Sequence, residues 1–244
     1  MPNPPTDSES IEPVGDRCLL IRLGTEVDPA TSARVHALVR RLREQPIAGV
    51  RDVVPAFTTV ALHYRPECFG PSPFATLREQ LLERLSRPLE AAADSGRVVE
   101  VPVCYGTADK DYGPDLAEVA QRCGLSPAEV VERHLASAHR VYMLGFAPGF
   151  PFIGGLDPTL SMPRRAQPRT RIPPGSVAIA REQTCIYPLE TPGGWNLIGR
   201  TPLRLFDPAA EAPCRLAPGD TIRFTAIDHA DYLALLAEQQ GPRP

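Results

Sequence analysis

Five arginines, Arg164, Arg165, Arg169, Arg171 and Arg181, flank proline-containing turns in the second half of the chain. Guanidinium groups on stiff loops suit two-pronged recognition of a carboxylate or phosphate; the same run also fits a solvated charged face. Just beyond, Gln183, Thr184 and Tyr187 offer neutral hydrogen-bonding groups, and the Trp195 indole and Asn196 amide stand beside Gly193 and Gly194. A lone tryptophan serves either as core or as a ligand platform. Upstream, the segment from Gly145 to Gly155 contains Phe146, Gly149, Phe150, Phe152 and Gly154. Its glycines let backbone N–H groups approach a ligand between apolar walls; the alternative is a buried barrel corner. His134 is either a half-buried imidazole bonded to backbone or a group that orients the next loop and titrates near neutral pH.

Other chemistries find no support. No G-x-x-x-x-G-K-[ST] run occurs, and Gly145, Gly149, Gly154 and Gly155 do not space as G-x-G-x-x-G. His134 and His139, read as lying on one helix, would point roughly 140° apart and could not share an ion. There is no G-x-S-x-G elbow, and Cys185 has no neighbouring base to activate it. A net charge of −3 creates no basic field for nucleic acid or an anionic membrane. Lys110 is the only lysine, so an anion site rests on arginines, backbone N–H groups or that one ammonium. Six cysteines, scattered without a C-x-x-C pair, suit a reduced, cytoplasmic compartment. No apolar run is long enough to span a bilayer.

These residues need elements to hold them. Cys18 to Leu23 reads as a strand, and Asp28-Pro29 opens a helix whose apolar stripe is Val35, Leu38, Val39 and Leu42. Two short strands follow, with Val50, Asp52 and Val54 alternating before Pro55 and Val60, Leu62 and Tyr64 after it. A second helix starts at Ser72-Pro73, and Val99, Val101 and Val103 mark a further strand. The order β-α-β-β-α-β is the ferredoxin-like pattern, although the last strand fits equally as the opening of the next domain. Two helices come next, one ended by Gly124 and one opened by the capping box Ser126/Glu129 and running to about His139. Thereafter all four Pro-Gly dipeptides separate short β-prone runs, which predicts a barrel or sandwich, and Asp228 caps a final helix. The expected division is a disordered stretch 1–13, an α/β domain 14–96 and a β-barrel domain 97–244 within an α+β chain.

From Val101 onward the chain resembles a family known as the 5-oxoprolinase B subunit, allophanate hydrolase subunit 1, kinase A inhibitor, or carboxyltransferase subdomain C/D. The resemblance runs through Val101-Pro-Val-Cys-Tyr-Gly106, Gly113-Pro-Asp-Leu116, Cys123-Gly-Leu-Ser126, His134 and Gly145-Phe-Ala-Pro-Gly-Phe150. It continues through Pro173-Pro-Gly-Ser-Val177, Gln183-Thr184, Tyr187-Pro188, Thr191-Pro-Gly-Gly-Trp195, Ile198-Gly-Arg-Thr201 and Leu205-Phe-Asp207. It implies a small α/β domain before a cyclophilin-like barrel. It also implies one subunit of a hydrolase, inactive alone, that opens 5-oxo-L-proline to L-glutamate. The implied partners are a larger cyclophilin-like chain, the C type of subunit, and a third chain of the A type. ATP, with magnesium, would be bound in the complex, with no metal or biotin on this chain. Two further roles occur among such proteins: inhibition of a histidine kinase, and carboxyl transfer to urea-like amides.

Carried onto these positions, the resemblance implies catalytic roles for Arg200, Tyr187 and His134. Substrate or nucleotide contacts would come from Gly145, Phe146, Gly149, Phe150, Arg164, Arg169, Gln183, Thr184, Gly193, Gly194, Trp195 and Asn196. Arg164, Arg169 and Arg200 would meet anionic groups. Cys185 departs from the family, which usually has glycine there, and would strain the backbone if that position needed a positive φ.

Overall fold

The computed structural model describes residues 10–86, 88–89, 97–106 and 112–240, which leaves Lys110 outside. The chain divides into two compact units, Met1–Ser95 and Gly96–Pro244.

In the first unit, strands β1 (Ser10–Pro13), β2 (Cys18–Arg22), β3 (Val50–Pro55) and β4 (Thr59–Tyr64) form an antiparallel sheet in the order β1-β2-β4-β3. Helix α1 (Pro29–Glu44) starts where Asp28 Oδ1 accepts the Thr31 N–H at 2.9 Å, beside Pro29 at the first helical position. Its stripe Val35, Leu38, Val39 and Leu42 is buried against Leu19, Ile21, Val60 and Leu62. Helix α2 (Pro73–Leu85) buries Leu77 and Leu81 in the same core.

Two expectations change here. Ser10–Pro13 is not a disordered tail: it pairs in register with Leu19–Arg22, Ile11 opposite Ile21, and packs on the core. It also takes the sheet edge that the last strand of a ferredoxin-like unit would fill, because that strand belongs to the other unit. In β3 the register shifts between Val50 and Asp52. The extra residue turns the pleat over, so Val50, Val53 and Pro55 face inward while Val54 is 37% exposed.

The second unit is a closed barrel with strand order β10-β7-β6-β13-β5-β12-β9. Its strands are β5 (Val98–Tyr105), β6 (Arg140–Leu144), β7 (Pro151–Gly154), β9 (Ser176–Ala180), β10 (Gln183–Ile186), β12 (Asn196–Arg200) and β13 (Thr221–Ala226). A ribbon of β8 (Arg169–Ile172) and β11 (Thr191–Gly193) stands apart from it. Among the described residues, only the β5–β13 pair is parallel. The seven strands all contribute to one core, including Val101, Val141, Ile153, Ile179, Ile186, Ile198 and Phe224.

Helices α3 (Leu116–Cys123) and α4 (Pro127–Ala136) close on this core through Leu116, Val119, Ala120 and Val130. Gly124, at φ +68°, ends α3, and the Ser126/Glu129 capping box opens α4 with both reciprocal bonds present. Helix α4 stops at Ala136, short of His139, because Ser137 is extended and its hydroxyl donates to the Arg133 carbonyl at 2.7 Å. Helix α5 (His229–Gln240) is capped by Asp228, whose Oδ1 accepts the Asp231 N–H at 2.8 Å.

Candidate functional site

Strand alternation sorts the site residues onto two sides of one wall. In β10, Thr184 and Ile186 point into the barrel while Cys185 points out; in β9, Val177 and Ile179 point in while Ala178 and Ala180 point out. Strand β9 is therefore buried on both faces, as its unbroken run of small and apolar residues requires.

On the inner side, His134 and Thr184 are fully buried. The Thr184 hydroxyl donates to the Ala178 carbonyl at 3.0 Å, so it accepts the His134 Nε2–H at 3.1 Å. That leaves Nδ1 to accept the Tyr105 hydroxyl at 2.8 Å. The early end of α4 folds His139 back onto its neighbour: its Nε2–H donates to the His134 carbonyl at 2.7 Å, and the rings lie 4.7 Å apart. The two histidines thus converge, contrary to the divergent directions a continuous helix would give them. Burial, reinforced by His139, holds the His134 imidazole neutral far below its ordinary range, and burial pushes His139 down to about 4. With both ring nitrogens engaged and no exposed surface, His134 is held in place inside the barrel.

On the outer side Phe150, Ile172, Cys185, Tyr187, Trp195 and Leu197 form a second cluster. The Phe150 ring meets Tyr187 edge-on at 5.2 Å and Trp195 at 6.4 Å. Tyr187 is buried, which pushes its hydroxyl above the usual phenol range, and the Trp195 backbone N–H bonds to it. A side chain on Gly193 would stand 2.3 Å from that hydroxyl, which is why glycine is required there. Cys185 lies in regular strand opposite Phe152 and Ala178, with no positive φ, so the expected backbone strain is absent. Its thiol is a packing group, pushed up by burial far from thiolate formation.

The arginines separate. Arg169 makes a two-pronged pair with Asp115, Nη1 to Oδ2 at 2.9 Å and Nη2 to Oδ1 at 2.7 Å. Arg165 adds a contact to Oδ1 at 2.8 Å, and the Leu197 N–H donates to Oδ2 at 2.7 Å. Asp115, only 3% exposed, therefore ties β8, β12 and the start of α3 together. The guanidinium of Arg169, expected to meet an anionic ligand, is matched by this internal carboxylate. Arg164 lies over the Trp195 ring at 5.8 Å and is exposed. Arg200 stands away from the aromatic cluster, at the end of β12, with Nε donating to the Pro174 carbonyl at 2.9 Å.

The remaining candidates lie in turns and strand ends around this wall. Asn196 spans Pro163 and Ile179 carbonyls at 3.0 and 3.1 Å. Gln183 pairs with Ala180 across the β9–β10 turn, whose Arg181 adopts φ +53°. Gly194 accepts the Arg165 N–H at 2.7 Å. In the β6–β7 loop three N–H groups turn inward: Gly145 to Phe150, Ala147 to Gly145 and Phe150 to Ala147, at 3.1, 2.8 and 3.0 Å. Gly149 supplies the left-handed residue at φ +75°, and Phe146 adopts φ +68° with 66% of its surface exposed. Asp115 and Tyr105 lie in the resembling blocks Gly113–Leu116 and Val101–Gly106 and take structural roles that the sequence reading does not give them. The further signal for Asp115 is one acid at a helix start, within a chain whose arginines need a counter-charge.

The model for the carboxyltransferase domain, subdomain C and D, matches residues 9–216. The chain belongs to this family. Among relatives of this carboxyltransferase C/D chain, the 5-oxoprolinase B subunit of Bacillus subtilis is 43% identical over 236 residues, covering 93% of this chain and 97% of the relative. The protein of the same name from Escherichia coli O157:H7 is 42% identical over 211 residues, 86% of this chain and 93% of the relative. The solved structure of TTHA0988 superposes with a TM-score of 0.75 at 39% identity, over 93% of this chain but only 41% of that longer chain. The carboxyltransferase C/D chain thus spans about two-fifths of that protein.

Proposed function

We propose that the chain is one subunit of an ATP-dependent 5-oxoprolinase that opens 5-oxo-L-proline to L-glutamate, its site completed by a larger companion subunit, with the help of a third. The observation that carries this reading is the similarity to two proteins named as the B subunit of 5-oxoprolinase, end to end and above 40% identity. The geometry supports a shared site. Arg165 and Arg169 are matched by Asp115, and His134 and Thr184 are spent inside the barrel.

What the barrel presents outward is Phe146, Arg164 above Trp195, and Arg200. In this reading Arg164 pairs with the carboxylate of the ring, with Tyr187 and Trp195 as the wall behind it, and Arg200, at the end of β12, meets charge that develops on phosphoryl or carbonyl oxygen. His134 acts through Thr184 as a positioning residue. Arg165 and Arg169 are matched internally by Asp115, and in this reading ATP with its magnesium is bound in the complex. Opening the lactam needs its carbonyl made more electrophilic, which phosphorylation by ATP supplies. The test is glutamate release from 5-oxoproline and ATP, with the chain alone and with companion subunits from the same organism. Turnover only in the mixture is expected; turnover by the chain alone, or none in an assembled mixture, contradicts the reading.

A further inference from the structure

We propose that Phe146 is the anchor by which this chain docks onto its companion subunit, the ring entering an apolar pocket on that subunit. The inference rests on the reading that the chain works as one subunit of a complex.

Phe150, Tyr187 and Trp195 in the outer cluster are 2%, 1% and 5% exposed and Phe152 is half-buried, against 66% for Phe146. A bulky side chain at φ +68° is sterically disfavoured, and the fold holds it there without burying it. The three inward hydrogen bonds of the loop brace it, and Phe146 rests edge-on against Phe150 at 5.2 Å and 71°. A strained, pre-set, exposed aromatic with a rigid backing has the properties of a binding anchor, since little conformational freedom remains to be lost on association. The cluster continues from Phe150 to Trp195 at 6.4 Å and on to the exposed Arg164 cation at 5.8 Å.

The relatives indicate the occupant. In TTHA0988 the counterpart of this chain is 41% of a longer polypeptide, so more than half of that protein is further chain joined to it covalently. A separate chain matching that remainder needs a surface to replace the covalent link, and this patch supplies one.

The test compares wild type with Phe146→Gly, a substitution that suits the left-handed backbone and so separates docking from folding. Affinity for the purified companion subunit is measured by calorimetry, and thermal unfolding is measured on the isolated chain. The expected result is an association weaker by about 100-fold with a melting temperature equal to or above wild type. Association within twofold of wild type overturns the anchor while leaving the subunit reading intact. A lowered melting temperature accompanying weaker binding also overturns it, assigning Phe146 to the fold. Loss of self-association with companion binding unchanged would make the occupant a second copy. Failure of the wild-type chain to bind the companion at all overturns both readings.

Discussion

Replacing Asp115 by asparagine isolates the carboxylate that holds the outer cluster in place. The native side chain accepts from Arg165, from both ends of Arg169 and from the Leu197 backbone, at 2.8, 2.9, 2.7 and 2.7 Å. Asparagine keeps one accepting oxygen but turns an NH2 group toward guanidinium N–H donors and removes the charge that compensates two arginines. Breaking one side of such a largely buried pair costs roughly 3–5 kcal/mol, here discounted to about 3 because the arginines keep 27–29% of their side-chain surface in water. For a unit of this size about 1 kcal/mol moves the melting temperature by roughly 2–4 °C, so a fall of about 6–12 °C is expected. Trp195, the only tryptophan, is next but one to Leu197 and reports the event by fluorescence. A shift under about 2 °C would refute the role given to Asp115.

Three further outcomes rest on the same packing. Because His139 stays neutral to about pH 4 when folded but titrates near 6.5 when unfolded, its contribution is complete above pH 6.5 and is lost as pH falls toward 4. Urea unfolding at pH 5 should therefore give about 2 kcal/mol less stability than at pH 7 from this group alone, with His134 acting in the same direction; a flat profile contradicts the buried pair. Gly193→Ala, whose new methyl meets the Tyr187 hydroxyl at 2.3 Å and Ile172 at 2.8 Å, should destabilise by about 1–3 kcal/mol. Gly194→Ala meets nothing nearer than 3.6 Å and should change stability by under about 1 kcal/mol, both read by denaturant unfolding. In a native thiol titration the exposed Cys68 should react at once, and the buried Cys104 and Cys185 only on unfolding; early modification of Cys185 would contradict its placement.

Much of the fold could be read from local rules. The caps at Asp28, Ser126 and Asp228, the glycine stop at Gly124 and the strand periods each depend on a few adjacent residues, and each governs the element it marks. Edge pairing was hidden, since Ser10–Pro13 is a strand only because β2 offers it a ladder. The bulge in β3 was hidden for the same reason. In the site, sequence separated neither the two faces of β10 nor the two fates of arginine. Thr184 and Cys185 are adjacent yet lie on opposite sides of the barrel wall, and Arg164 and Arg165 are adjacent while only Arg165 reaches Asp115, fifty residues away. Strand alternation separates the first pair once β10 is placed in the wall, while the Arg165–Asp115 contact arises from the tertiary fold, which no local pattern encodes.

Whether this barrel supplies part of a 5-oxoprolinase site is decided by ATP-dependent glutamate release from the reconstituted complex. Wild type is compared with Arg200→Ala and with Arg171→Ala, whose guanidinium is paired with Glu190 on the exposed surface at 2.7 Å. Arg200→Ala should lose turnover by at least about 100-fold, and Arg171→Ala should keep near-native turnover. Unchanged turnover and KM in the Arg200→Ala complex would contradict a site built in part on this barrel.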